Sequence, residues 1–165
     1  MQPFSNQPTK QSKKLMSKAN KVNWTIQVVT WADAEPLLRA VREQVFIVEQ
    51  HVPTWVEWDT HDATAVHLLA FDDKQQPIAC ARVLESGRIG RMGVFKDWRG
   101  FGLGQALLAK AIEICKQKNF KQATLSSQTH AVGFYEKAGF KVISEAYIDV
   151  NIWHVDMQLL LQSFR

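Results

Sequence analysis

The chain has 165 residues, of which 46% are hydrophobic and 22% are charged, and its formal net charge at neutral pH is +4. This length and balance predict one globular domain with a full hydrophobic core. No apolar run reaches the roughly 18 residues that a membrane span requires. The lysines near the N-terminus are not followed by the apolar stretch of a secretory signal. We therefore expect a cytoplasmic protein with no membrane partner.

The positive charge is concentrated at the N-terminus. Residues 1–21 contain five lysines and no acidic residue, and they are rich in Gln, Ser and Asn. This composition is typical of a flexible segment, because it supplies too little apolar surface to fold. The other 15 basic residues are matched by 16 acidic ones, so residues 22–165 are nearly neutral. We predict a basic tail over 1–21, a single domain over 22–165, and no nucleic-acid partner.

The two cysteines, Cys80 and Cys115, each stand alone inside an apolar segment. A metal site or a disulfide framework needs more cysteines at closer spacing. The sequence therefore predicts two buried thiols and no metal.

The first third of the chain predicts a strand, a helix and a loop. Residues 24–31 are rich in β-branched and aromatic residues, which favours a strand. Asp33 is a candidate N-cap for a helix that continues to Phe46 with one apolar face. The segment 48–62 has no sustained apolar period, so we expect a loop with at most one helical turn.

The remainder predicts strands that alternate with helices. Strands are expected over residues 66–72, 78–84, 88–95, 122–126, 140–147 and 152–160. Gly90 and Gly93 indicate a bulge or a close backbone approach within the strand 88–95. A long helix is expected over residues 102–118 and a short one over 129–137. This order is typical of a mixed α/β fold.

Three alternating glycines lie between the strand 88–95 and the long helix, at Gly100, Gly102 and Gly104. Without Cβ atoms, they let the chain turn sharply and expose successive N–H groups to a ligand. The helix that follows adds unpaired N–H donors and the positive end of its dipole, and Arg99 adds a positive charge. The segment therefore predicts a diphosphate site.

Two other phosphate-binding loops are excluded by spacing. A dinucleotide-binding loop has a third glycine where this chain has Gln105, and no Walker string G-x-x-x-x-G-K-[ST] occurs.

The segment Arg99-Gly100-Phe101-Gly102-Leu103-Gly104 resembles the [R/Q]-x-x-G-x-[G/A] signature of the GNAT superfamily of acyl-CoA-dependent N-acyltransferases. Residues 131–140 resemble the second family segment, A-x-x-[FL]-Y-x-K-x-G-F. The resemblance extends over residues 24–160. Residues 45–62 and 147–157 are also similar to a bacterial subgroup with an I-P-H sequence, for which this chain has Ile152-Trp153-His154.

The resemblance implies a central mixed, mostly antiparallel sheet of about seven strands, splayed between strands four and five, with about four flanking helices. It implies acetyl-CoA as co-substrate, no metal, and an amine as acceptor, in a monomer or homodimer. The coenzyme-binding residues that it implies are Met92, Gly93, Val94, Arg99, Gly100, Phe101, Gly102, Leu103, Gly104, Phe134 and Lys137.

The resemblance also implies that Tyr135 protonates the departing thiolate. The base is open, because the strand 88–95 has no carboxylate. Its candidates are Glu49, Glu57, Asp59, Asp62, His67 and His154. Of these we favour Glu49 and His154 as acceptor-site residues. The alternative function is a non-catalytic acyl-CoA-binding or sensor domain.

Overall fold

The structure is a computed structural model, and it describes residues 22–162. The predicted basic tail over 1–21 lies outside the described residues.

The N-terminal half of the described chain contains four strands and two helices. Their bounds are β1 (Thr25–Val29), α1 (Trp31–Arg42), α2 (Thr54–Glu57), β2 (Val66–Phe71), β3 (Pro77–Val83) and β4 (Ile89–Val94). A π-helical segment, Glu43–Glu49, continues α1, and a 3-10 turn, Thr60–Ala63, follows α2.

The C-terminal half contains four more strands and two helices. Their bounds are α3 (Leu103–Gln117), β5 (Gln122–Gln128), α4 (Val132–Glu136), β6 (Lys141–Val142), β7 (Tyr147–Asp149) and β8 (Ile152–Leu160). The 3-10 turns Lys96–Trp98 and Thr129–Ala131 precede α3 and α4.

The N-cap of α1 is Thr30, so the prediction of Asp33 was wrong. Thr30 has extended dihedral angles, and its hydroxyl accepts a hydrogen bond from the N–H of Asp33 at 3.2 Å. Thr and Asp are both good N-caps. Asp33 instead lies in the first turn, where its negative carboxylate interacts favourably with the positive end of the helix dipole.

Two further boundaries differ from the sequence prediction. The expected loop over 48–62 contains α2 and the 3-10 turn, which Asp59 caps by accepting from the N–H of His61 at 3.0 Å. The expected strand over 140–147 is divided into β6 and β7, which pair with different stretches of β8.

The strands form two four-stranded sheets that meet at a single point. In the first sheet the order is β1-β2-β3-β4, and in the second β8 pairs with β5, β6 and β7, all antiparallel. Between β4 and β5 the described residues have one parallel bridge, Arg88 to Thr124. Among the described residues the two strands pair nowhere else. This confirms the mixed, mostly antiparallel fold with a splay between strands four and five, and residues 22–162 form eight strands and four α-helices in it.

The main core lies where α3 packs across both sheets. The apolar side chains along one face of this helix are buried: Leu103, Leu107, Ala111, Ile114 and Cys115. Cys80 is also buried, so the prediction of two buried thiols is confirmed. Burial raises the pKa of Cys80 to about 12 and that of Cys115 to about 11. Among residues 22–162 no helix has the length and apolarity to cross a membrane.

Candidate active site

The loop between β4 and α3 opens toward solvent on the side where a ligand would approach. Gly100 and Gly102 have φ values of +84° and +87°, which residues with a side chain rarely adopt. A Cβ built on either glycine would meet no atom within 4 Å. Space is therefore available above this part of the backbone.

The first turn of α3 supplies unpaired N–H donors to that space. The first hydrogen bond of the helix runs from the N–H of Ala106 to the carbonyl of Gly102 at 3.0 Å. The N–H groups of Leu103, Gly104 and Gln105 have no acceptor within the described part of the chain. Three such donors at the positive end of a 15-residue helix suit an anionic ligand. We call residues 99–105 the cradle.

Arg99 borders the cradle, but its guanidinium contacts protein. Its Nε donates to the carbonyl of Val94 at 2.9 Å, and its Nη1 and Nη2 donate to the two carboxylate oxygens of Glu49 at 2.6 and 2.8 Å. The hydrogen bond from Arg99 lowers the pKa of Glu49. The charge that was expected to face a diphosphate is therefore compensated, and Glu49 lies against the cradle.

A cleft of about 280 Å³ lies in the gap between β4 and β5. It is lined by Met92 from β4, Ser126 and Gln128 from β5, Tyr135 from α4 and His154 from β8. Glu49 is not among its lining residues. The structure thus brings together two of the three predicted catalytic residues.

Tyr135 packs edge-to-face against the rings of Phe134 and Phe140, with centroids 5.0 and 6.2 Å away. Burial raises the pKa of its hydroxyl. The group is therefore protonated at neutral pH and suited to donate a proton.

His154 is held with one ring nitrogen available as an acceptor. Its Nδ1 lies 2.8 Å from the carbonyl oxygen of Ile152. Because a carbonyl can only accept, Nδ1 carries the proton, and in the neutral imidazole Nε2 is then the nitrogen with the lone pair. The ring of Tyr147 stacks on the imidazole at 6.0 Å with an interplanar angle of 21°. His154 is therefore suited to accept a proton within the cleft.

Two other base candidates, Asp59 and Asp62, belong to a largely buried ion-pair cluster. Asp62 accepts from Arg42 at 2.7 Å and from Arg82 at 3.0 Å, and Arg82 also pairs with Asp59 at 2.8 Å. Burial alone would raise the pKa of Asp59, but the hydrogen bond and charge of Arg82 outweigh it and lower the pKa.

A further base candidate, His67, is buried beside the cluster. Its Nε2 lies 2.8 Å from the backbone carbonyl of Asp62, and burial lowers its pKa. None of Asp59, Asp62 and His67 lines the cleft, whereas Glu57 does.

The bulge predicted in the strand after Gly87 is confirmed and lies beside the cleft. Cys80 of β3 faces Gly93 and Arg82 faces Gly90, so two residues of β4, Arg91 and Met92, oppose one of β3. Arg91 has a φ of +49°, which is strained for a residue with a side chain. The bulge presents Arg91 and Met92 to the cleft. Sequence reasoning missed Arg91, and no local signal distinguished it from other arginines.

The remaining predicted coenzyme-binding residues lie around the cradle. Val94 and Phe134 border it, Phe101 is half-buried within it, and Leu103 is buried so that only its backbone is available. Gly93 permits close packing, since a Cβ there would lie 3.0 Å from Val45. Lys137 lines a separate groove between α3 and the end of β8.

The family model of the acetyltransferase (GNAT) domain matches residues 28–161. The chain belongs to the GNAT acetyltransferase family. This establishes the resemblance that the two sequence segments indicated. The GNAT chain is 33% identical over 137 residues to the protein YyaT of Bacillus subtilis, covering 79% of this chain and 91% of that one.

Two solved structures superpose closely on this chain. An acyl-CoA N-acyltransferase from Pseudomonas aeruginosa has a TM-score of 0.72 at 31% identity, covering 84% of this chain and 99% of that one. The ElaA protein of Escherichia coli has a TM-score of 0.71 at 29% identity, with the same coverage. The fold and the family are therefore shared with acyl-CoA-dependent acyltransferases.

Proposed function

We propose that this GNAT protein is an N-acetyltransferase that transfers the acetyl group of acetyl-CoA directly to a primary amine of a small molecule or peptide. One observation carries the proposal: a proton donor, Tyr135, and a proton acceptor, His154, line one cleft that lies next to the cradle. Met92 and Tyr135 line the cleft, and Val94 and Phe134, close to them on β4 and α4, border the cradle. We infer that one extended ligand reaches from the cradle into the cleft.

The described residues fit a coenzyme A thioester. The unpaired N–H groups of Leu103, Gly104 and Gln105 would hold the diphosphate, and the open side of Gly100 and Gly102 lets it approach. Main-chain groups of Met92 and Val94 would pair with the pantetheine arm as an added strand, because β4 has a single bridge to β5. The thioester would then lie between Tyr135 and His154.

In the proposed reaction Nε2 of His154 takes a proton from the acceptor amine. The amine nitrogen forms a bond to the acetyl carbon, and the bond from that carbon to sulfur breaks. The hydroxyl of Tyr135 gives its proton to the departing sulfur, so the products are an amide and the free thiol of coenzyme A. Return of the proton from His154 to Tyr135 through solvent restores both residues. Holding both substrates in one gap increases the rate further, because their translational and rotational freedom is lost on binding and not in the chemical step.

Thiol release from acetyl-CoA, measured over amino sugars, polyamines, amino acids and peptides, tests the proposal. Mass spectrometry of the acceptor identifies the acetylated product, and a reaction without acceptor measures hydrolysis. We expect acceptor-dependent release. Acetyl-CoA binding by calorimetry without release for any class of amine would support the sensor domain instead.

A further inference from the structure

The wall of the cleft carries two charged side chains that the proposed transfer does not use. Glu57 ends α2 and Arg91 lies in the bulge of β4, and both line the cleft with Tyr135 and His154. Glu57 Oε1 and Arg91 Nε are 3.2 Å apart, and their side chains are 4% and 25% exposed. A carboxylate and a guanidinium therefore lie side by side next to the reacting groups.

Each of the two side chains keeps one polar atom available to a ligand. Glu57 Oε1 accepts from Arg42 Nε at 2.7 Å, whereas Oε2 has no hydrogen-bond partner among residues 22–162. Arg91 Nη2 donates to the carbonyl of Glu57 at 3.0 Å and to Asp59 at 3.2 Å, whereas Nη1 has no partner in the same range. Both atoms belong to side chains that line the cleft.

The charge balance of this wall favours a ligand that carries both signs. The ion-pair cluster contains three guanidinium groups (Arg42, Arg82, Arg91) and three carboxylates (Glu57, Asp59, Asp62). Because the cluster is neutral, a ligand of one sign would bring a charge into a half-buried site without compensation. The other charged side chain on the cleft is Asp149, which is exposed and screened by water.

The rest of the cleft lining is mixed, with polar side chains from Gln50, Ser126 and Gln128 beside the apolar ones. Its apolar lining comes from Phe46, Val52, Val56, Ile89, Val150 and Ile152. An apolar ligand side chain would gain free energy from burial there.

Building on the proposed function, we infer that the acceptor is an α-amino acid. Glu57 Oε2 receives its α-ammonium group, and Arg91 Nη1 donates to its α-carboxylate. The ammonium first loses one proton to solvent. As in the reaction above, Nε2 of His154 then takes a second proton from the α-nitrogen as it bonds to the acetyl carbon, and Tyr135 protonates the sulfur of coenzyme A as the bond from carbon to sulfur breaks. Charge-assisted hydrogen bonds at both ends would orient the nitrogen toward the thioester.

The first test compares L-leucine, L-methionine and L-phenylalanine with 3-methylbutylamine, which is leucine without its carboxylate. With acetyl-CoA and the full chain, we expect kcat/KM for leucine to exceed that for the amine by at least about tenfold. Equal or faster turnover of 3-methylbutylamine overturns the inference. Turnover of polyamines or peptides but of none of the amino acids also overturns it, and leaves the proposed N-acetyltransferase standing. Turnover of no amine contradicts the proposed function itself.

The second test measures the same ratio, leucine over 3-methylbutylamine, in Arg91→Gln. This ratio does not depend on the fraction of protein that folds, because unfolded protein lowers the apparent kcat/KM for both substrates by the same factor. We expect the ratio to fall toward one, and Arg88→Gln to keep the wild-type ratio, since Arg88 is exposed and pairs with Asp156 outside the cleft lining. An unchanged ratio in Arg91→Gln overturns the role of Arg91. If this variant does not fold, the comparison of leucine with 3-methylbutylamine in the wild-type protein decides the inference.

Discussion

At the scale of single residues, Tyr135 distinguishes a transferase from a binding domain. If its hydroxyl protonates the departing thiolate, Tyr135→Phe removes a contact that matters mainly in the transition state. We expect kcat to fall by roughly 10- to 10⁴-fold, with a much smaller change in KM for acetyl-CoA. Because burial raises the pKa of Tyr135 above its ordinary value, the wild-type hydroxyl should stay protonated through mildly alkaline pH.

Steady-state kinetics checks this prediction, with circular dichroism to verify the fold. A wild-type kcat in Tyr135→Phe, with chemistry shown to limit the rate, would remove Tyr135 from the mechanism.

His154 is the second residue that decides the mechanism. His154→Gln keeps a polar side chain but has no lone-pair nitrogen to accept a proton. We expect kcat/KM for the acceptor to fall by roughly 10²- to 10⁴-fold, while calorimetry finds unchanged binding of acetyl-CoA. The matched control is His130→Gln, because His130 is exposed and does not line the cleft. Equal activity of the two variants would contradict a role for His154 as base.

His67 makes stability depend on pH in a defined direction. Because burial lowers its pKa in the folded chain, the unfolded chain binds a proton first as pH falls through the ordinary histidine value of about 6.5. The free energy of unfolding should therefore decrease from pH 7 to pH 5, by at most about 1.4 kcal/mol per pH unit from this residue. Asp59 has a lowered pKa as well, but its contribution is lost only below about pH 4.

Urea denaturation of wild type and His67→Gln between pH 5 and pH 8 measures this effect. Glutamine can still donate to the carbonyl of Asp62 but does not titrate in this range. We expect a shallower dependence on pH in the variant, and parallel curves would show that His67 is not the group responsible.

At the scale of elements, the two glycines at the start of α3, Gly102 and Gly104, have different roles. Gly102 has a positive φ, so an alanine there costs about 1–2 kcal/mol of strain and adds a methyl group to the cradle. Gly104 is helical, and a Cβ there would meet the Phe134 ring at 3.5 Å, an ordinary contact. We expect Gly102→Ala to weaken acetyl-CoA binding by at least about tenfold, and Gly104→Ala to bind within a few-fold of wild type.

Calorimetry with acetyl-CoA measures both affinities. Gly104→Ala should also raise the melting temperature, because alanine is favoured over glycine in a helix by about 1 kcal/mol. Equal affinity of Gly102→Ala and wild type would contradict the assignment of the cradle.

At the scale of the whole molecule, we predict that the domain over 22–165 folds and acts without residues 1–20. The composition of that segment supplies too little apolar surface to contribute a core. Its deletion should leave the melting temperature and the turnover with acetyl-CoA nearly unchanged. Differential scanning fluorimetry and the thiol assay check this. A decrease of several degrees would mean that the segment packs on the domain.

The sequence by itself determined the features that depend on neighbouring residues. The apolar period of α3, the alternating glycines of the cradle and the strand Ile152–Leu160 are local patterns, and the structure confirms them. The sequence did not decide the start of a helix where two nearby residues can each serve as its N-cap, as Thr30 and Asp33 can for α1. The choice between them depends on the path of β1 into the helix.

Only the tertiary structure decided which side chains meet. Glu49 pairs with Arg99, 50 positions away, instead of entering the cleft, whereas Glu57 and Arg91 come together on the cleft wall. The available nitrogen of His154 likewise follows from the position of one backbone carbonyl. Ion pairs and hydrogen bonds act over a few ångströms, so the folding of distant segments against each other decides which charges are compensated and which remain open to a substrate.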